Sequence, residues 1–289
     1  HSHSPRFTKM RYQLLSELGR GGYGTVYKVL DNYRHQLLAV KIMAQKDESD
    51  DTWERRLTSA FKGEAIILPA LHHAHIIRCF YSHGWGTPRV EIFMELMEGS
   101  LASLMQWPQP PYLESGAVAD TVLHQMLQAL EHLASLGYVH RDVKPENILY
   151  TSSPGLLLGR PAPHPVARSL YHFRLGDFGL CDLAANIDAI RGSELFMAPE
   201  LLERPRRHMQ SHKSDVWALY ATVLWTLKAD WFRQRGRGKR QTVADFAQAV
   251  ELDGRITSLS EMAVADPGER ATAAEMLKNL YPYMGGCAG

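Results

Sequence analysis

The 289-residue sequence predicts an α+β fold in two segregated lobes, a small antiparallel-sheet lobe followed by a mostly helical one. Three observations carry that prediction. Apolar, partly β-branched runs separated by turn residues fill the first third of the chain. From Gly99 the apolar spacing becomes helical. The glycine-rich turn Gly19-Arg20-Gly21-Gly22-Tyr23-Gly24 runs into Thr25-Val26-Tyr27, a strand-like run and not a helix.

The elements follow in order. Tyr12–Leu18 and Thr25–Leu30 flank the glycine turn as a hairpin, Asp31-Asn32 is a turn signal, and Leu37–Met43 makes a third strand. Thr52 caps a helix expected over Trp53–Leu68, which Pro69 and the His72-His73 turn close. Ile76–Ser82 and Val90–Leu96 are two more strands around Gly84-Trp85-Gly86. In the second lobe Val118, Val122, Leu123, Met126, Leu127, Leu130 and Leu133 mark a helix over Ser115–Leu136, with Gly137 as its C-terminal glycine. Short strands are expected at Asn147–Tyr150 and Phe173–Leu175. Asp215–Lys228 is apolar nearly all round, as a buried central helix would be, and Ala271–Leu280 is a last amphipathic helix. No internal repeat is present. The lobes are placed at 10–97 and 98–283.

Composition narrows the function classes. Hydrophobic residues at 45% and charged residues at 22% are those of a globular chain and exclude a wholly disordered one. The net charge of +1 provides no global attraction for nucleic acid, and none is expected as a partner. Cys79, Cys181 and Cys287 are few and far apart, so neither a disulfide framework nor a zinc ribbon is expected, and a reducing compartment fits best. The longest apolar runs, Ala65–Leu71 and Ala218–Leu227, fall well short of the ~18 residues that a membrane span needs. No signal peptide is read at the start, where His1-Ser2-His3-Ser4 has the look of an expression remnant.

The chemistry-bearing residues stand in a fixed order. Gly19-x-Gly21-x-x-Gly24 alone is a weak signal, since the same spacing marks dinucleotide folds; there, however, a helix must follow the third glycine. With a strand following, the turn becomes a hairpin whose backbone N–H groups can cover phosphates. Lys41 lies in the apolar run Leu37-Leu38-Ala39-Val40-Lys41-Ile42; a buried ammonium needs a counter-charge, and Glu64 on the next helix is the candidate. Then come His140-Arg141-Asp142-Val143-Lys144-Pro145-Glu146-Asn147, Asp177-Phe178-Gly179 and Ala198-Pro199-Glu200.

In content and order these motifs resemble a eukaryotic-type protein kinase domain of the serine/threonine class, over about Tyr12 to Leu280. The resemblance implies a two-lobed kinase fold, ATP as nucleotide and Mg²⁺ or Mn²⁺ as metal. It implies that Gly19, Gly21 and Gly24 cover the phosphates, that Lys41 holds them and pairs with Glu64, and that Val26, Ala39 and Leu149 enclose adenine. Met94 would be the gatekeeper, with Glu95 to Met97 the adenine-binding hinge. Asp142 would accept the proton of the acceptor hydroxyl, Lys144 neutralise the transferring group, and Asn147 and Asp177 hold the metal. Leu68, His140 and Phe178 would form a column anchored by Asp215, and Glu200 would pair with Arg270. Lys144 and Ser193 are the forms found in kinases of serine and threonine, which makes a protein bearing such an acceptor the expected partner. A monomeric, intracellular domain, cytoplasmic or nuclear, is expected.

Two other classes compete. A kinase-fold scaffold without activity is opposed by the complete set Lys41, Asp142, Asn147 and Asp177. A small-molecule phosphotransferase is opposed by Ser193 and Ala198-Pro199-Glu200, which build a peptide platform. The chain also departs from the family pattern. Leu180–Arg191 contains no Ser, Thr or Tyr, although Arg141 is the residue that in this family often grips a phosphorylated loop. Activity without phosphorylation of that loop is therefore expected, with Asp188 or Glu194 as a weak anionic substitute. Gly63 beside Glu64 weakens its helix, and either a partner or the packing of Ile66, Ile67 and Leu71 must hold it. Proline- and glycine-rich Ser152–Ser169 reads as a mobile insertion, and Arg233–Arg240 as a solvated basic loop or a patch for an acidic partner. The fourteen histidines show no zinc spacing, Cys181 is expected to be a buried inert thiol, Trp217 and Trp225 are core, and the methionines from Met94 to Met105 line pocket and core.

Overall fold

The computed structural model describes residues 11–21, 24–45, 53–106, 115–152, 171–187, 189–203, 210–227 and 258–283. Gly22, Tyr23, Thr52, residues 153–169, Asp188, residues 233–240 and Cys287 lie outside them. The chain divides into two compact units: 1–72 with 77–97, and 73–76 with 98–289.

The first unit is built on five strands: β1 (Tyr12–Gly21), β2 (Gly24–Asp31), β3 (Gln36–Ala44), β4 (Cys79–His83) and β5 (Arg89–Glu95). They form one antiparallel sheet in the order β1-β2-β3-β5-β4. Strands one and two are longer than the sequence predicts because pairing continues to Gly21 opposite Gly24. The β2–β3 turn is fixed by Asp31, whose carboxylate accepts the N–H groups of Tyr33 and Arg34 at 3.0 and 3.2 Å. Between β3 and β4 the helical segment has three parts. Helix α1 (Trp53–Ala60) widens into a π-helical stretch over Phe61–Ile67, and a short turn α2 (Leu68–Ala70) ends it. Pro69 sits inside that last turn, where its missing N–H is tolerated, so the helix outlasts the predicted stop by two residues.

The second unit begins with β6 (Gly99–Ser100) and α3 (Leu101–Leu104). Its centre is α4 (Ser115–Ser135) packed against α6 (His212–Leu227). The short α5 (Pro199–Glu203) precedes α6, and α7 (Ala273–Leu280) closes against α4. Val122, Met126, Leu127 and Leu130 of α4 are buried on its inner stripe. Helix α6 buries residues on every side, among them Trp217, Leu219, Tyr220 and Val223, as its continuous apolar sequence requires; Trp225 is half-buried. Strands β8 (Ile148–Ser152) and β9 (Tyr171–Leu175) pair with each other and, through β8, with β6, while β7 (Tyr138–Val139) pairs with β10 (Asp182–Leu183). Residues 73–76 belong to this unit because they bond to β9. Leu175 N–H donates to the His75 carbonyl at 2.9 Å, the His75 ring meets the Phe173 carbonyl at 3.0 Å, and Ile76 bridges Leu175. The strand expected from Ile76 consequently begins only at Cys79. Among the described residues no helix is long and apolar enough to cross a membrane.

Candidate active site

In the first unit, the glycine hairpin and β3 carry the residues that the motifs point to. The three glycines play different parts. Gly24 has φ +144°, and a Cβ there would collide with the Ile42 carbonyl of the neighbouring strand, so the fold itself requires glycine. A Cβ on Gly19 or Gly21 would meet nothing within 4 Å. Among the described residues their smallness serves no packing, and it leaves room for close approach to their backbone. Val26 pairs with Lys41, and Ala39 with Met94, across adjacent strands.

Strand β3 is buried over Leu38–Met43 on both faces, and this forces Lys41 inward. Its ammonium meets the Glu64 carboxylate at 2.6 Å, with both side chains under a tenth exposed. Burying two charges is costly unless they pair closely, so this short bond is the condition on which β3 can carry a lysine at all. Glu64 lies in the π-helical stretch, where Gly63, Glu64 and Ile67 are buried and Leu68 N–H donates to the Gly63 carbonyl. Within this wider turn Glu64 lies on the buried face. Ile67 and Leu71 pack as the sequence predicts; Ile66 does not, being 57% exposed, because the π turn rotates it outward. Met97 is buried and Met94 and Glu95 are half-buried at the end of β5, where the Glu95 carboxylate accepts Arg78 N–H at 2.6 Å.

In the second unit, the turn from β7 into β8 carries the catalytic-loop motif. Asp215, fully buried at the start of α6, accepts the backbone N–H of His140 at 2.7 Å and of Arg141 at 2.9 Å. Burial pushes this carboxyl up to about 7 even against those two donors. The His140 ring donates from Nε2 to the Gly176 carbonyl at 3.0 Å, so its Nδ1 is the acceptor and takes Asp142 N–H at 3.3 Å. Burial holds its pKa below the usual histidine value. The ring also stands edge-on to Phe178 with centroids 4.9 Å apart. Arg141 and Asp177 both adopt positive φ, +74° and +56°, which costs about 1–3 kcal/mol each and persists only where the surroundings over-determine it.

These supports aim one carboxylate. Asp142 Oδ2 accepts Lys144 Nζ at 2.6 Å and Asn147 Nδ2 at 3.0 Å, while Oδ1 accepts Ser193 N–H at 2.9 Å. Lys144 Nζ also donates to Ser193 Oγ at 2.8 Å. Because Asn147 directs its NH₂ to Asp142, its carbonyl oxygen remains as an acceptor. Gly176 N–H donates to the Asn147 backbone carbonyl at 2.8 Å, which brings the start of the Asp177 motif beside Asn147. An amide oxygen and a carboxylate, the side-chain groups of Asn147 and Asp177, are of the ligand type that a hard divalent cation such as Mg²⁺ takes. Leu149 sits on β8 opposite Arg174, against Gly176.

Glu200 and Arg270 brace the unit with two bonds of 2.9 and 2.7 Å. Cys181 is buried, and burial raises its thiol pKa well above the ordinary range, so it is inert as expected.

A sequence model of the protein kinase domain matches residues 12–282. The chain belongs to the protein kinase family. Its relatives place it in the serine/threonine class. The yeast serine/threonine-protein kinase SSK22 (Saccharomyces cerevisiae) is 30% identical over 95% of this chain and 21% of its own length. Mitogen-activated protein kinase kinase kinase 1 of Arabidopsis thaliana is 28% identical over 91% of this chain and 41% of its own. MAP kinase kinase kinase win1 of Schizosaccharomyces pombe is 27% identical over 95% and 20%. The chain thus spans less than half of each of these relatives.

One residue of this kinase domain was invisible to motif reading. Gln210, 4% exposed, accepts Arg141 Nε at 2.9 Å and Arg191 N–H at 3.0 Å, and donates to the Arg191 carbonyl at 2.6 Å. Its only signal in the sequence is a polar residue just ahead of an apolar helix. Gln125, on α4, serves β9 similarly, accepting Phe173 N–H at 2.6 Å.

Proposed function

We propose that the protein transfers the γ-phosphoryl group of Mg-ATP to serine or threonine hydroxyls of protein substrates, and that it does so without phosphorylation of its activation segment. The observation that carries the reading is the Lys144 bridge, which ties Asp142 to Ser193 by bonds of 2.6 and 2.8 Å. It leaves a carboxylate oriented from three sides, as a proton acceptor for an incoming hydroxyl must be.

In this mechanism the acceptor oxygen forms the new bond to phosphorus as the bond to the ADP oxygen breaks. The hydroxyl proton passes to Asp142. Lys144 offsets the charge of the group in flight, and Lys41, held by Glu64, fixes the phosphates. Asn147 and Asp177 would hold the metal, which would neutralise charge on the phosphate oxygens. The open backbone at Gly19 and Gly21 covers the phosphates without a side chain in the way.

The activation segment is held by means other than a phosphate. Arg141 donates from Nη1 to the Leu180 carbonyl at 3.3 Å and from Nη2 to the Ala189 carbonyl. Leu180–Arg191 has no hydroxyl residue to modify. Phosphate incorporation into a serine peptide array by phosphatase-treated protein tests both parts. Transfer that is undiminished by the phosphatase is expected. A large loss on treatment would refute the second part, and transfer that survives Asp177→Asn would refute the metal role.

A further inference from the structure

We propose that Gln210 is a positioning residue for phosphoryl transfer, clipping the activation segment to the catalytic loop so that Ser193 and the Asp142 carboxylate are held in register. The inference rests on the kinase reading above and adds a residue to it.

Three bonds place the amide. Its oxygen uses both lone pairs, one for the Arg141 guanidinium and one for Arg191 N–H. Its nitrogen donates to the carbonyl of the same Arg191. A side chain that binds both the N–H and the C=O of one residue imitates a strand partner and fixes that residue in rotation as well as position. A single bond would fix neither. The amide is buried, so water does not compete for these groups, and their loss would leave buried polar groups unsatisfied.

The two residues after Arg191 transmit the constraint. Gly192 has φ +120°, and a Cβ there would strike the Arg141 carbonyl, so this glycine is itself pressed against the catalytic loop. The next residue, Ser193, donates its N–H to Asp142 Oδ1 and its hydroxyl accepts from Lys144. The clip therefore acts two residues from the contact with the reacting carboxylate. The other end of the clip is Arg141, whose own N–H is held by Asp215. Gln210 thus joins the segment before Ser193 to the residue before Asp142, and the geometry of the proton acceptor depends on both. Displacements of ~1 Å in such groups can lower rates by about 10²-fold.

The chemistry of the residue matters. Leucine has similar bulk and none of the bonds. Glutamate keeps both acceptor contacts and loses the donor to the Arg191 carbonyl. The test compares wild type, Gln210→Leu and Gln210→Glu for peptide phosphorylation, with thermal melting to confirm folding. Amide hydrogen exchange of the segment 189–196 is followed in parallel. The expected result is a kcat lower by about 10²-fold for Gln210→Leu, with Gln210→Glu in between and KM for ATP within about twofold. Exchange at Arg191 and Ser193 should accelerate in the same order. A folded Gln210→Leu protein with kcat and exchange like wild type would overturn the proposal. If Gln210→Leu does not fold, Gln210→Glu decides by the same two readouts. A wild-type protein that transfers no phosphate sinks the kinase reading, and exchange at Arg191 and Ser193 then decides separately whether the clip exists.

Discussion

Replacing Glu200 with glutamine should unfold the second unit at a markedly lower temperature, although Glu200 touches no reacting group. The magnitude follows from what Arg270 is asked to do. Its guanidinium is fully buried and makes two bonds to Glu200, at 2.9 and 2.7 Å. Its remaining donors go to the carbonyls of Val264, Lys213 and Ala265 at 2.8, 3.0 and 3.2 Å, and its Cζ lies 5.2 Å from the Trp217 ring centroid. These neutral acceptors are already taken. In Glu200→Gln one carboxylate oxygen becomes an NH₂ facing a cation, and the buried positive charge loses its counter-charge. Breaking a buried pair from one side costs about 3–5 kcal/mol. At roughly 2–4 °C per kcal/mol for a unit of this size, the melting temperature falls by about 6–20 °C. Differential scanning calorimetry at low and high salt measures it. Because the pair is buried, the difference should persist in about 0.5 M salt, where the ~10 Å screening length of 0.1 M has shortened. A fall under about 3 °C, or one that salt abolishes, would mean that Arg270 finds compensation and that the reasoning from burial is wrong.

Other outcomes can be checked with less machinery. Glu64→Gln removes the carboxylate charge that meets Lys41 at 2.6 Å, and kcat/KM for ATP should fall by about 10²-fold in steady-state assays. Gly19→Ala should melt like wild type while weakening ATP binding by calorimetry, whereas Gly24→Ala, strained at φ +144°, should lose about 1–3 kcal/mol in urea unfolding. Acid should destabilise the histidine cluster at 73–75. Burial holds both His73 and His75 down at about 4, below the unfolded value near 6.5. The unfolded chain therefore binds more protons between about pH 4 and 6.5, so this stability is complete above that window and declines as pH falls through it. Urea unfolding should show the slope, and His73→Gln should flatten it; a slope unchanged in that variant would place the titration elsewhere.

How far the residues could be read without coordinates depended on how local their physics is. The catalytic loop is eight residues long, and its order with the glycine turn, Lys41 and Asp177 was legible directly. The β1–β2 hairpin, the apolar α6 and the pairing of Lys41 with Glu64 also followed from periodicity and from the need of a buried amine for a counter-charge. Ile66 is not legible, because a regular 3.6-residue period does not hold through the π-helical stretch Phe61–Ile67, which leaves it exposed. The strand at Ile76 was misplaced because its first residues pair with β9, about a hundred positions away.

By itself the sequence determined the family to which this chain belongs: the glycine turn, the eight-residue loop at 140–147 and Asp177-Phe178-Gly179 are local patterns that stand in the family's order whatever surrounds them. Only the tertiary structure decided which glycine the backbone needs and which it leaves open, that Asp215 holds the catalytic loop through the backbone N–H groups of His140 and Arg141, and that Gln210 meets Arg141 and Arg191. Those choices pair groups 19 to 75 residues apart. Hydrogen bonds act over about 3 Å, and no spacing along the chain records which distant groups folding will bring that close.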